Sequence, residues 1–375
     1  MSRHQVPARP GGLALVLAGL LAAGTVGAAG PASAHGSPGP AASPWVRDSI
    51  GVLDVFLPDA DSDYYINGFG TEKARTVITG RVPNARYWSF TAYPLAPGGK
   101  TAHVHDRDIA RAHGRYTVTV SASCAHVAGT CISTGSGGGA GILVMRLYVP
   151  VDVHGAGTGG VPLPTISYVN GAGAPISLTA AAGTSTVTNG LQALRLRRGA
   201  RPAALTRSYP PAAPVPTPVR LPTPVGVVTG PRGPYANPDN VYDHVSYSTT
   251  RGDLVVTAQA PTYRSDTFSP VNALARSGSQ PSQVRYWSLC TALKGRHTGA
   301  CLRDEQVHLI PGSRRFMVVV APTCPVAGYD NCIPAGPQPL QRSLSYRNLL
   351  PSSSFAKDAF RGPYALRATY VARPG

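Results

Sequence analysis

The sequence predicts an all-β protein built from two tandem, duplicated jelly-roll-like β-sandwiches stapled by disulfides. Three observations carry that prediction. Gly and Pro number 42 and 37 in 375 residues, a density suited to many short strands joined by turns and hostile to long helices. Short runs alternate polar and apolar residues, the period of a half-buried strand. A set of landmarks then appears twice in the same order. Arg86-Tyr87-Trp88-Ser89 returns as Arg285-Tyr286-Trp287-Ser288, Cys124 as Cys324, Cys131-Ile132 as Cys332-Ile333, and Arg146 and Pro150 as Arg347 and Pro351. Upstream, Pro58-Asp59 matches Pro238-Asp239 at a shorter offset, which places one insertion in Tyr263–Ser282. A period this long means two like domains and not a solenoid.

From the N-terminus, residues 1–34 read as a secretory signal peptide. Arg3, His4 and Arg9 form a basic start, Leu13 to Ala29 an apolar stretch, and Ala32-Ser33-Ala34 a small-residue cleavage site. No later run reaches the ~18 apolar residues of a membrane helix. The mature chain is therefore expected to be secreted, with no transmembrane segment. Its charge falls from +17 to 32 minus 17, or +15, once Arg3 and Arg9 are removed. A balance this basic points to anionic polymers outside the cell.

Domain A is expected over residues 50–170. Its strands include Arg75–Gly80, Arg115–Ser121 and Ile142–Val149, the last closed by Pro150. Residues 194–230 form an Arg- and Pro-rich connector, stiff and poor at joining a sheet. Nucleic-acid binding by this segment is not expected, because its charge alone is unspecific. Domain B is expected over 222–352. There Arg314–Val320 is a more continuous apolar run than its counterpart, as a strand covered on both faces would be.

Six cysteines in an oxidising compartment imply three bridges, with 15 connectivities open in principle. The duplication reduces these: Cys124 with Cys131, Cys324 with Cys332, and therefore Cys290 with Cys301 in domain B alone, where domain A has Thr91 in place of Cys290.

Several clusters point to chemistry. His103-x-His105-Asp106 places two imidazoles on one strand face, a candidate zinc site. Asp59-x-Asp61-x-Asp63 resembles the opening of a calcium loop but has Tyr64 where the glycine should be. No cofactor is predicted, with calcium and zinc as the metals to test. Asp239, Asp243, Asp304 and Glu305 are candidates for a glycosidase-like pair between the domains. Asp304 and Glu305 cannot form that pair together if they are neighbours on a strand, since they would face opposite ways. Tyr87, Trp88, Tyr286 and Trp287, with Arg285, are candidates for a sugar-stacking platform, against which stands a role for both Trp as core anchors.

The order Pro-Asp, Arg-Tyr-Trp-Ser, Arg-Asp and a closing Met145-Arg146-Leu147-Tyr148-Val149-Pro150 resembles the paired 1254/1214 domains of unknown function found in bacteria. The second half is similar to an actinobacterial secreted subtype, through Arg285–Cys290, Arg303–Val307 and Tyr346–Pro351. The resemblance implies a jelly-roll-like sandwich and an actinobacterial source, and it implies no reaction. The expected function is binding of envelope or extracellular polysaccharide. The alternative is a hydrolase acting on a surface glycan through interdomain carboxylates. Whether the chain is an enzyme, and its oligomeric state, stay open at this level.

Overall fold

The computed structural model describes residues 45–48, 59–71, 74–95, 98–137, 139–151, 157–176, 223–230, 236–263, 282–293, 297–335 and 341–372. The expected signal sequence, residues 194–222 of the expected connector and most of the expected insertion lie outside these segments. Among the described residues there is no α-helix.

The first sandwich contains β1 (Val46–Asp48), β2 (Ser62–Gly70), β3 (Ala74–Arg81), β4 (Ala85–Pro94), β5 (Ala102–His105), β6 (Arg111–Ala112), β7 (Arg115–Ser121), β8 (Thr130–Ser133), β9 (Ala140–Pro150), β10 (Thr165–Asn170) and β11 (Pro175–Ile176). One sheet runs β1-β2-β9-β4-β5, the other β11-β10-β3-β7-β6, with β8 parallel to β7. The second sandwich contains β12 (Thr223–Pro224), β13 (Val227–Thr229), β14 (Asn240–Ser248), β15 (Asp253–Gln259), β16 (Tyr286–Leu293), β17 (His297–Arg303), β18 (Arg315–Ala321), β19 (Cys332–Pro334), β20 (Gln341–Leu349) and β21 (Arg367–Val371). Its sheets run β12-β21-β15-β18-β19 and β13-β14-β20-β16-β17. In each half the chain passes back and forth between the two sheets, as from β2 to β3 to β4 and from β14 to β15 to β16, the interleaving of a jelly roll. The last strand, β21, lies beyond residue 352 and pairs with β15 in the middle of its sheet.

The strand period decides what each sheet buries. In β4, Trp88, Phe90 and Ala92 point into the first sandwich, with Trp88 1% exposed and against Tyr116, ring centroids 4.8 Å apart. In β16, Trp287 is fully buried and stacks on Phe316 at 5.3 Å. Each Trp anchors its own core. The apolar outer face of β18 is also explained. Val319 packs with Val255, Ala321 and Cys332 beneath Val326 and Tyr329 of the disulfide loop, so that strand is covered on both faces.

The three bridges are Cys124–Cys131, Cys290–Cys301 and Cys324–Cys332, the pairing that the duplication implies. Register confirms the correspondence of the halves. Thr91 faces His103 across β4 and β5, and Cys290 faces Cys301 across β16 and β17.

The five-stranded sheets of the two sandwiches pack against each other through their outer faces. Tyr64, Tyr87, Tyr93, Val144, Tyr148 and Val149 meet Tyr286 and Leu349 in a third, interdomain core. Val149 and Leu350 hold equivalent places there. Both have positive φ, +49° and +46°, costly for a β-branched or bulky residue. Their amides donate to Asp61 O at 2.7 Å and Asp239 O at 2.8 Å, and their side chains pack in the interdomain core, which holds the conformation in place.

Candidate functional site

The polar rim of the interdomain core gathers most of the chemistry-bearing residues. The arrangement is reciprocal, as in an isologous dimer interface. Arg86, leading β4, donates through Nη1 to both carboxylate oxygens of Asp304, at 2.8 and 2.7 Å. Its Nη2 lies 2.6 Å from Glu305. The equivalent Arg285, ahead of β16, donates to both oxygens of Asp106 at 2.8 and 2.7 Å. The same exchange joins the two Pro-Asp landmarks. Asp239 accepts from the Tyr87 hydroxyl at 2.5 Å and contacts His103 Nε2 at 2.9 Å. Asp59 accepts from the Ser288 hydroxyl and lies 3.8 Å from Arg347.

One branch forms a chain of alternating charge. Arg86 binds Asp304 and Glu305, Glu305 lies 3.5 Å from Arg303, and Arg303 donates to Asp61 at 2.8 Å. Two arginines thus join three carboxylates in this chain of contacts. Burial is the main force on both aspartates. It pushes Asp304 up to about 6 against the opposing pull of Arg86, and Asp61 up to about 6 against Arg303. Burial also pushes Asp239 up, but hydrogen bonds from His103 and Tyr87 outweigh it and hold this carboxyl below its usual range.

Behind this rim, Arg146 lies 1% exposed on β9. It donates to the hydroxyls of Thr91 at 2.8 Å and Tyr93 at 2.7 Å, with its Cζ 5.0 Å from the centroid of the Tyr64 ring. Desolvation acts to lower its pKa, but the surrounding tyrosines outweigh it and raise the value.

These placements correct four expectations. The sugar-stacking platform is not formed: Trp88 and Trp287 are core residues, and Tyr87 and Tyr286 are fully buried between the sandwiches, so no ring face is open to a sugar. The calcium-like aspartates diverge. Asp59 turns to Ser288, Asp61 to Arg303, and Asp63 to Arg47 at 2.7 Å. The candidate zinc ligands diverge as well, His103 to Asp239, His105 to Asp108 at 3.2 Å, and Asp106 to Arg285. Among the described residues, the one group of three ligand-type side chains in close approach is Asp59 with Cys290 and Cys301. Those two sulfurs are bonded to each other, so they offer no thiolate to a metal.

The fourth correction concerns the carboxylates. Asp304 and Glu305 converge on one guanidinium and do not face apart, because β17 ends at Arg303 and the two lie in the following turn. Asp239 joins the rim. Asp243 does not: it accepts from the Thr229 hydroxyl at 2.7 Å on the neighbouring edge strand β13. A carboxyl near neutrality is what a general acid requires, but Asp304 is 0% exposed and clamped by Arg86. A substrate would have to break a buried ion pair to reach it.

The arginines that organise this rim, Arg86, Arg303 and Arg347, are absent from the candidates that sequence patterns provide. One signal was present. Arg86 and Arg285 recur at an offset of 199 and Asp106 and Asp304 at 198, a matched basic and acidic landmark in each half.

No family model matches the chain, and no curated protein matches it. Among solved structures, an uncharacterized protein from Burkholderia cenocepacia is similar with a TM-score of 0.50 and 14% identity, covering 83% of this chain and 79% of that one. A protein from Vibrio parahaemolyticus is similar with a TM-score of 0.44 and 10% identity, over 85% of this chain and 92% of that one. At 14% identity the first likeness is one of fold. The class defined by fold and site is thus a duplicated, disulfide-bonded β-sandwich protein with a closed, ion-paired domain interface. Among the described residues no helix is long and apolar enough to cross a membrane.

Proposed function

We propose that this chain is a secreted, non-catalytic protein that binds anionic polymer of the cell envelope or extracellular matrix. The observation that carries the reading is the sorting of charge. The sequence has 34 Lys and Arg against 17 Asp and Glu, and the acids are preferentially internal. Among the described residues eight acidic side chains are buried against four arginines. Six acids, Asp59, Asp61, Asp106, Asp239, Asp304 and Glu305, lie at the contact between the sandwiches, each with a partner from the other domain. The outer surface is therefore more basic than composition alone implies. Such a surface attracts polyanions in a salt-dependent way.

The hydrolase alternative has less support, because the carboxylates it needs are held by Arg86, Arg303 and Tyr87. The test is sedimentation of the chain lacking residues 1–34 with envelope and extracellular polymer fractions across a salt series. Binding at low salt that is lost as salt rises is the expected result. No binding at low salt, or release of sugar products in a glycan screen, refutes the reading. Secretion is checked separately: protein recovered from culture medium should begin at His35.

A further inference from the structure

The outer sheet of the first sandwich ends in a pair of exposed arginines that have no counter-charge among the described residues. Arg81, the last residue of β3, lies directly opposite Arg115, the first residue of β7. Residues opposed in register share a sheet face, and both side chains are exposed. Among the described residues neither has a salt-bridge partner, although like charges opposed across strands are unfavourable. The adjoining hairpin tip is His113-Gly114, a two-residue turn between β6 and β7 with φ of +50° and +70°. Positive φ at both positions is the primed turn that suits a tight hairpin. His113 is a non-glycine residue held in that conformation at the same tip, and it too is exposed. The tip is fixed to the end of β3, since Val82 N donates to Gly114 O at 2.9 Å. Beside the arginines, Thr165, Thr79 and Thr117 form a row of hydroxyl residues across β10, β3 and β7.

The second sandwich does not repeat this arrangement. Arg315 occupies the place of Arg115, but its partner across the strand is Gln259. The like-charge pair is thus particular to the first sandwich and is not a by-product of the duplicated fold.

We propose that Arg81 and Arg115, with His113 at the adjoining turn, bind a tetrahedral oxyanion, a phosphodiester or sulfate ester, carried on an extended polymer. The proposal rests on the polyanion-binding reading and locates it. Two guanidinium groups on neighbouring strands approach a ligand from two sides. A planar carboxylate is satisfied by one fork, whereas the oxygens of a tetrahedral oxyanion point in enough directions to serve two. The row of hydroxyls beside them suits an extended chain.

The test uses the whole chain without residues 1–34 and measures binding of long-chain polyphosphate, dextran sulfate and polygalacturonate at about 50 mM salt and above, a range over which phosphate contacts dominate affinity. Arg81→Gln with Arg115→Gln should weaken polyphosphate or dextran sulfate binding about tenfold or more and lower the salt slope by about one to two. The charge-matched control, Arg315→Gln with Arg367→Gln, should change it less than about threefold, because each removes an isolated cation. Whichever of the phosphate and sulfate polymers responds more names the source of the oxyanion. Equal losses in the two double variants would overturn the site while leaving the general reading intact. Equal losses with polygalacturonate would overturn the tetrahedral assignment. No binding of any polyanion by the unaltered chain would overturn both.

Discussion

Replacing Arg86 by Ala tests whether the interdomain charge chain is dry and structural. Arg86 is 4% exposed, Asp304 0% and Glu305 5%. The substitution takes from Asp304 and Glu305 the guanidinium that both contact. Removing one partner of a buried ion pair costs about 3–5 kcal/mol, against about 0–1 for an exposed pair. The structure also fixes how this cost varies with pH. Asp304 stands near 6 with Arg86 present, and Arg86 is the largest force holding it down, so its loss moves Asp304 higher still. At pH 7.5, escaping the unpaired charge by protonation costs about 2 kcal/mol for Asp304 alone, 1.5 units at 1.36 each. At pH 5 that carboxyl is already protonated and the cost vanishes. Denaturant unfolding of both proteins at pH 5 and 7.5 should therefore show a deficit that shrinks by about 2 kcal/mol at the lower pH. Arg86→Met combined with Asp304→Asn and Glu305→Gln should recover most of the lost stability, because an uncharged network leaves no orphaned ion. A deficit below about 1 kcal/mol, or one independent of pH, would place the cluster in water and refute the argument.

The unaltered protein should lose stability as pH rises from about 4 to about 6. Asp61 and Asp304 bind protons more tightly folded than unfolded, so ionising them favours the unfolded chain, by about 3 kcal/mol for a rise of about two pH units. Asp239 acts in the opposite sense: its carboxyl is held low, so its contribution is present above the unfolded value and is lost on further acidification. A pH series of unfolding free energies checks both signs. Cys290→Ser with Cys301→Ser opens a bridge spanning 11 residues and should cost about 2–3 kcal/mol in the same assay. Trp88→Ala should cost about 3–5 kcal/mol, and any loss of polymer binding should track unfolding. Arg81→Gln should raise stability by about 0.2–1 kcal/mol, read as a small rise in Tm, because it relieves the opposed charges on β3 and β7.

The fold was legible because its determinants are local and repeated. Period-two runs mark β3, β7 and β15, an apolar run closed by Pro150 marks β9, and a cysteine pair brackets each disulfide loop. The candidate site was misread because its contacts join residues up to 242 positions apart, as between Arg303 and Asp61. Local spacing makes Asp59, Asp61 and Asp63 look like one ligand set, yet each takes a different partner. His103 and His105 do lie on one strand, as the metal reading required, but a carboxylate from the opposite sandwich reaches His103 first. The convergence of Asp304 and Glu305 on Arg86 depended on β17 ending one residue before Asp304, a boundary that no pattern in the chain marks.

The repeated tetrapeptide shows why these landmarks recur together. In each copy Trp enters its own sandwich, Tyr enters the interdomain core, and Arg crosses to an acid of the other half. Ser288 also crosses, to Asp59, while the equivalent place opposite Asp239 is served by Tyr87 and His103. A motif that faces both its own core and its twin is constrained twice, once by packing and once by symmetry. Either constraint alone would allow the two copies to drift apart in sequence. The reciprocal pairs Arg86 with Asp304 and Arg285 with Asp106 are what a two-fold symmetric dimer of single sandwiches would require. The interdomain contact is therefore best understood as an isologous interface fused into one chain. That view accounts for its acids: they complete a self-complementary contact, which leaves the outer sheets, and Arg81 and Arg115 among them, as the surface available to a ligand.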